Sequence, residues 1–238
     1  MGKKWIPLEA NPEVLNEFAQ KLGVSLNGYE FCDIYGLDEE LLAMVPRPVI
    51  AVLLLFPITD ATEAARKQEK EEIDAKGQEV SPSLYYMKQT IGNACGTIAL
   101  LHAVANNRQA LGLAEGSFLQ QFLEVTAGMG PAERGGYLES PPEGAPDIDS
   151  IHEAAAQQGD TAAPSADEEV NLHFAAFVCR EGAIYELECR KASPINHGPC
   201  AGEELLEAAA RVVREKFVER ADSIQFSLIA LAAAQGGS

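Results

Sequence analysis

Apolar positions along the chain fall into two rhythms, one helical and one unbroken. After Asn11-Pro12, residues Val14, Leu15, Phe18 and Leu22 share one helical face. Asn11 can cap such a helix, proline is tolerated in its first turn, and Gly23 can end it. Residues 30–35 read as a short strand and 38–44 as a short helix before Pro46. Residues 49–56 are apolar throughout, largely β-branched or leucine, and bounded by prolines, which predicts a strand buried on both faces. Residues 61–77 are charge-rich and predict an exposed helix, with Glu63 and Lys67 spaced for an i,i+4 pair. A buried helix begins at Cys95, with Ile98, Leu101 and Ala105 on one face. Another covers 117–127, with Phe118, Phe122 and Val125 on one side.

The rhythm fails across 139–169, which is rich in proline, small and acidic residues and carries only a weak helical patch at 151–158. So long a loop inside a domain is uncommon and is often a functional lid. The alternative is a linker between two domains, but the strands beyond 170 are too few for a second core. Those strands are 170–179 and 183–189, joined by a hairpin turn at Arg180-Glu181-Gly182. Residues 193–198 read as a turn. Residues 203–220 form an amphipathic helix with Leu206, Ala210, Val213 and Phe217 inward, and 223–231 a last strand in which Ile224, Phe226 and Leu228 alternate with polar residues. Helices outnumber strands and the strands cluster late, which predicts an α+β fold with helices packed on a sheet.

Composition narrows the function. The chain has 238 residues, 47% of them hydrophobic, too apolar for a wholly disordered protein and long enough to bury a core. The longest apolar run, 49–58, is far below the ~20 residues of a membrane span, and the first residues lack a secretory pattern. A soluble cytoplasmic protein is expected. Asp and Glu number 36 against 18 Lys and Arg, a formal net charge of −18. Such a chain repels nucleic acid and anionic membranes and favours basic partners, although acidity also serves solubility alone. Five scattered cysteines, Cys32, Cys95, Cys179, Cys189 and Cys200, do not form a disulfide framework and suit a reducing compartment.

One of those thiols sits where chemistry is possible. A cysteine opening a helix has its thiolate favoured by the helix dipole, and Gly96 beside Cys95 leaves room for a substrate backbone. Read alone, Cys95 is better explained as an inert buried thiol. A nucleophile needs a base, a group that holds the base, and an oxyanion donor. Of the four histidines, His102 lies two turns into the same helix and reads as core, His152 lies in the long loop and reads as solvated, and His197 reads as part of a local turn. His173 occupies a strand position where an apolar residue is expected. Glu186 and Glu188, on the neighbouring strand, share a face, and either could hold an imidazole. Cys189, His197 and Cys200 match no common zinc spacing, and no Walker or Rossmann glycine pattern is present.

Several segments resemble the ubiquitin carboxyl-terminal hydrolase family of cysteine proteases, nearest its short L-type isozymes. They are Pro-Leu-Glu-Ala-Asn-Pro-Glu at 7–13, Met-Val-Pro-Arg-Pro at 44–48, Ala-Val-Leu-Leu-Leu-Phe-Pro-Ile-Thr at 51–59, Leu-His-Phe at 172–174 and Pro-Ile-Asn-His-Gly at 194–198. The most specific is Met-Lys-Gln-Thr-Ile-Gly-Asn-Ala-Cys-Gly-Thr at 87–97. The resemblance spans nearly the whole chain and implies one catalytic domain over 1–238. Its implied fold is a central antiparallel sheet flanked by helices, with a deeply knotted chain and a loop at about 139–169 crossing the active site. It implies Cys95 as nucleophile, His173 as general base and Gln89 as oxyanion donor. It also implies cleavage of small adducts from the C-terminus of ubiquitin, with no cofactor or metal. Pro7, Leu8 and Leu172 match positions that touch ubiquitin in relatives, with packing of the N-terminal arm as the plainer role for the first two. Ubiquitin, or a modifier such as Nedd8, is the implied partner of a monomeric enzyme, and the acidity of the chain suits ubiquitin's basic tail.

Two adjacent residues depart from the family motif Tyr-Glu-Leu-Asp-Gly-Arg, which here ends Glu188-Cys189-Arg190; Ala192-Ser193 also stands where Pro-Phe is usual. Glu188 keeps the charge that orients histidine but adds a methylene, and Cys189 adds a side chain where the family has none. The expectation is a weakened enzyme that Glu188→Asp would speed up, or, in the alternative, a ubiquitin-binding protein with little catalysis.

Overall fold

The computed structural model describes residues 2–168 and 170–235; Glu169, the last residue of the expected loop, lies outside them. Six strands form one antiparallel sheet: β1 (Tyr29–Asp33), β2 (Val49–Pro57), β3 (Leu172–Arg180), β4 (Ala183–Leu187), β5 (Ile195–Pro199) and β6 (Ser227–Ala233). Their spatial order is β1-β6-β2-β3-β4-β5, every neighbouring pair antiparallel, so β6 lies between β1 and β2. The helices are α1 (Pro12–Lys21), α2 (Glu39–Leu42), α3 (Asp60–Lys76), α4 (Cys95–Asn106), α5 (Arg108–Leu111), α6 (Phe118–Val125), α7 (Pro131–Glu139), α8 (Asp149–Ala156) and α9 (Leu205–Lys216).

The unbroken apolar run of β2 follows from cover on both faces. Ala51 and Leu53 join a core with α1, α4 and the inner face of β3, whereas Val52, Leu54 and Phe56 join a second core under α9. Alternation along the strand sends side chains to the two cores in turn. α4 is buried around its whole circumference, not on one face, because it is enclosed between the sheet and the N-terminal helix layer. At α1, Asn11 Oδ1 accepts from the Glu13 and Val14 backbone N–H groups, the cap its sequence suggests.

Four expectations shift. The stretch 193–198 holds strand β5 as well as a turn, paired with β4 through Tyr185–Asn196 and Glu186–Ile195. Val125 is exposed and does not join Phe118 and Phe122 in the core. The last strand is β6, buried along most of its length, and Ile224 is almost fully exposed outside it. The 139–169 segment is not wholly loop, since it contains α8 and follows α7 directly. No helix among the described residues is long and apolar enough to cross a membrane.

Candidate active site

α4 packs against β3, and that contact brings Cys95, at the first position of the helix, to His173, the second residue of the strand. The helix start has no side-chain cap and no acidic residue in its first turn. Its unpaired N–H groups and positive dipole end therefore face the sulfur. Burial opposes ionisation of Cys95. Hydrogen bonding to His173, the imidazolium charge, and the backbone N–H groups of Phe174 and Gly96 outweigh it, so the thiol ionises below its usual range. Gly96 is needed for packing: a Cβ there would meet Leu8 Cβ at 3.1 Å and Phe174 Cε2 at 3.2 Å. It permits a close approach of the protein's own side chains.

His173 is 4% exposed, its ring edge-on to Phe56 at 5.9 Å. Nε2 lies 2.6 Å from Glu188 Oε1, which leaves Nδ1 for Cys95. Burial pulls the imidazole towards neutrality, but hydrogen bonds to Cys189, Cys95 and Glu188 raise its pKa well above the ordinary value. Glu188 is raised by burial, yet His173 first and Arg190 second hold it down at about 2. Arg190 adds a backbone N–H at 2.9 Å and its side-chain Nε at 3.2 Å, both donated to Glu188 Oε1. The extra methylene of glutamate is thus taken up: its carboxylate stands at the imidazole with a short contact. The longer arm still reaches the imidazole within hydrogen-bond distance.

Gln89 is tied down at both ends of its amide. Nε2 donates to Ile91 O at 2.9 Å, and Oε1 accepts from Cys189 Sγ at 3.2 Å. Its backbone N–H donates to Cys189 O at 3.2 Å. An amide NH2 has two protons, so one remains for a developing oxyanion. Cys189 Sγ also approaches His173 Nε2 at 3.5 Å, and burial raises its own pKa.

Glu186 and Glu188 take different partners. Glu188 holds His173, whereas Glu186 Oε2 accepts from His197 at 2.9 Å and Glu186 Oε1 meets Lys191 Nζ at 2.5 Å. Lys191 also reaches Glu69 at 2.5 Å. His197 thus belongs to a buried charged network as well as its turn. His102 is in the core as expected, accepting the Met87 N–H at Nε2 and stacked on Tyr86. His152 is not solvated. It is 1% exposed on α8, stacked on Trp5 at 4.2 Å, with Thr97 Oγ1 at Nδ1 and Ile6 O at Nε2, each 2.8 Å away. Burial pushes its pKa down to about 4. Its neighbours Ile148, Ala155 and Ala156, buried at helical spacing, are the signal that could have placed it.

The 139–168 stretch is fastened to the N-terminal arm. Glu9 accepts from the Asp160 and Thr161 backbone N–H groups, and Asn93 donates to both Trp5 O and Ala166 O. Within this arm Leu8 is buried, while Pro7 and, on β3, Leu172 are partly exposed. Glu63, expected to pair with Lys67, pairs with Arg66 and with Arg190 beside the site.

A cysteine at a helix start, an imidazole, a buried carboxylate and a tethered amide are the parts a cysteine peptidase needs. The sequence profile of ubiquitin carboxyl-terminal hydrolase, family 1, matches residues 5–219, and the chain belongs to that family. It is 47% identical to human ubiquitin carboxyl-terminal hydrolase isozyme L1, over 94% of this chain and 96% of the relative. It is 44% identical to Arabidopsis thaliana ubiquitin carboxyl-terminal hydrolase 3, over 97% and 94%. In structure it resembles the Trichinella spiralis UCH37 catalytic domain bound to ubiquitin vinyl methyl ester, with a TM-score of 0.72 at 24% identity over 96% of this chain and 95% of that one.

Proposed function

We propose that the protein, as one catalytic domain, hydrolyses small adducts and short peptides from the C-terminal glycine of ubiquitin. The observation that carries this reading is the 2.6 Å contact between His173 and Glu188, with the Cys95 thiol and the same imidazole each favouring the other's charged form. The Cys95 thiolate attacks the carbonyl carbon of the scissile bond. The oxyanion takes the free Gln89 N–H, and His173 gives its proton to the leaving amine. Water, activated by the now neutral His173, then attacks the thioester and frees the ubiquitin carboxylate. Glu188 holds the ring in place throughout and compensates its positive charge. The fastening of 139–168 to the N-terminal arm supports a bridge over the cleft. Slender leaving groups pass beneath it and folded ones do not.

Five unbridged cysteines support a reducing compartment such as the cytoplasm, and the acidic chain supports a modifier with a basic tail, ubiquitin ahead of Nedd8. The test is hydrolysis of ubiquitin carrying a C-terminal aminocoumarin by the protein and its Cys95→Ala variant. Turnover that disappears in the variant supports the reading. Ubiquitin binding without turnover would leave a binding protein instead.

A further inference from the structure

Cys189 does more than fill the space of a glycine. Its Sγ lies 3.5 Å from His173 Nε2, on the nitrogen that also meets Glu188 Oε1 at 2.6 Å, and 3.2 Å from Gln89 Oε1. Thiol, imidazole and carboxylate thus converge on one point, all three side chains buried. The other carboxylate oxygen, Glu188 Oε2, is buried without a hydrogen-bond partner among the described residues. A second convergence, Glu69, Glu186 and His197, has similar donors but already contains a cation. Lys191 Nζ stands 2.5 Å from both carboxylates there. Around Cys189 no ammonium among the described residues fills the corresponding centre; Arg190 touches Glu188 from the side.

We propose that Cys189, His173 and Glu188 form an inhibitory site for a thiophilic divalent cation, Zn2+ above all, with Gln89 Oε1 or water completing the shell. Tetrahedral zinc bonds of about 2.3 Å to sulfur and 2.0 Å to nitrogen imply an S···N separation of about 3.5 Å, which is the spacing present. The Nε2···Oε1 pair must open by about 0.7 Å to reach the N···O separation such a site needs, or yield to the unpartnered Oε2. A soft thiolate with imidazole and carboxylate selects zinc over magnesium or calcium. Zn2+ replaces two protons, the one on Cys189 Sγ and the one His173 Nε2 shares with Glu188, and both go to solvent. Affinity therefore rises with pH. The bound ion parts His173 from its carboxylate and removes the charged imidazole beside Cys95. Hydrolysis stops until a chelator removes the metal.

Inhibition rests on the catalytic role given to His173, but binding does not, so both are measured. Cys95→Ala removes the competing nucleophile thiol. Zn2+ affinity by competition with a chromophoric chelator is expected to show one site in this variant, and Co2+ to give a near-ultraviolet thiolate charge-transfer band. Adding Cys189→Ser or Cys189→Gly should weaken binding at least ~100-fold, as loss of a metal-site group does at its stronger end, and abolish the band. In proteins retaining Cys95, the zinc concentration that halves each protein's own zinc-free rate should rise by a like factor on Cys189→Gly. Undiminished affinity in Cys95→Ala/Cys189→Ser, or loss of the site in Cys95→Ala alone, would overturn the assignment. If Cys95→Ala binds zinc with the Cys189-dependent band while the parent protein shows no hydrolase activity, the site stands and the catalytic reading fails.

Discussion

Replacing Glu188 with aspartate, the residue the family places there, should slow this enzyme. Glu188 Oε1 reaches His173 Nε2 at 2.6 Å, with the Arg190 backbone N–H and guanidinium on the same oxygen. Removing one methylene retracts the carboxylate by up to about 1.5 Å, one carbon–carbon bond, so the contact lengthens towards 4 Å, about the sum of the two. Displacement of about 1 Å at a reacting centre costs on the order of 100-fold, so kcat should fall ~10- to 100-fold. KM should barely move, since Glu188 is buried behind the histidine and does not face the leaving group. The assay is steady-state release of aminocoumarin from ubiquitin, with thermal unfolding to check that the variant is folded. Turnover equal to or faster than the parent would refute the reasoning. It would mean that the backbone around 188 closes the gap and that the short contact is incidental.

Gln89→Ala should lower kcat ~100- to 1,000-fold with little change in ubiquitin affinity, by removing an oxyanion donor; single-turnover thioester formation reports it. Gly96→Ala places a Cβ 3.1 Å from Leu8 and 3.2 Å from Phe174, so Phe174 should shift and turnover fall, with a lower Tm alongside. Acid should destabilise the fold in two windows. His102 and His152, held neutral by burial with pKa values of about 4, bind a proton more readily unfolded than folded between pH 6.5 and 4. Stability falls across that window as pH drops, by roughly 3 kcal/mol for each histidine. Glu188, folded at about 2 against 4.5 unfolded, adds a loss of similar order below pH 4.5. Urea unfolding at pH 7, 5.5 and 4 measures this, and the upper window should shrink in His152→Gln. Lys191→Met should cost about 3–5 kcal/mol in the same urea assay, because Glu186 loses its ammonium partner while buried.

What the sequence disclosed and what it withheld divide along a physical line. α1 was legible because Asn11, Pro12 and four apolar residues agree on one element. β2 was legible because a strand covered on both sides cannot hide its composition. Cys95 and Gln89 stood out because the 87–97 segment is specific, and His173 because it occupies a strand position where an apolar residue is expected. β5 was missed because Pro194 and Gly198 speak for a turn, whereas its pairing depends on β4, a distant choice that no local pattern encodes. α7 was missed because Gly135 and Gly136 lower its helix propensity. Gly135 is needed where the helix meets the Lys88 carbonyl, 2.4 Å from where a Cβ would stand. The partition of Glu186 to His197 and Glu188 to His173 could not be read from either carboxylate. Two residues apart in a segment that reads as one strand, they are equivalent until the neighbouring elements choose between them.

The place of β6 in the sheet bears on how the protein comes into being on a ribosome. β1 and β2 are synthesised well before β6, yet they do not touch along an edge; β6 bridges them. Until residues 227–233 emerge, both strands present unpaired backbone to solvent. Emergence of β6 then sets the moment at which the sheet can close. A ribosome stalled anywhere before Ser227 leaves a product that lacks the middle of its sheet rather than an end. Such a product has no native state to reach, and its two open strands mark it for chaperones and proteolysis.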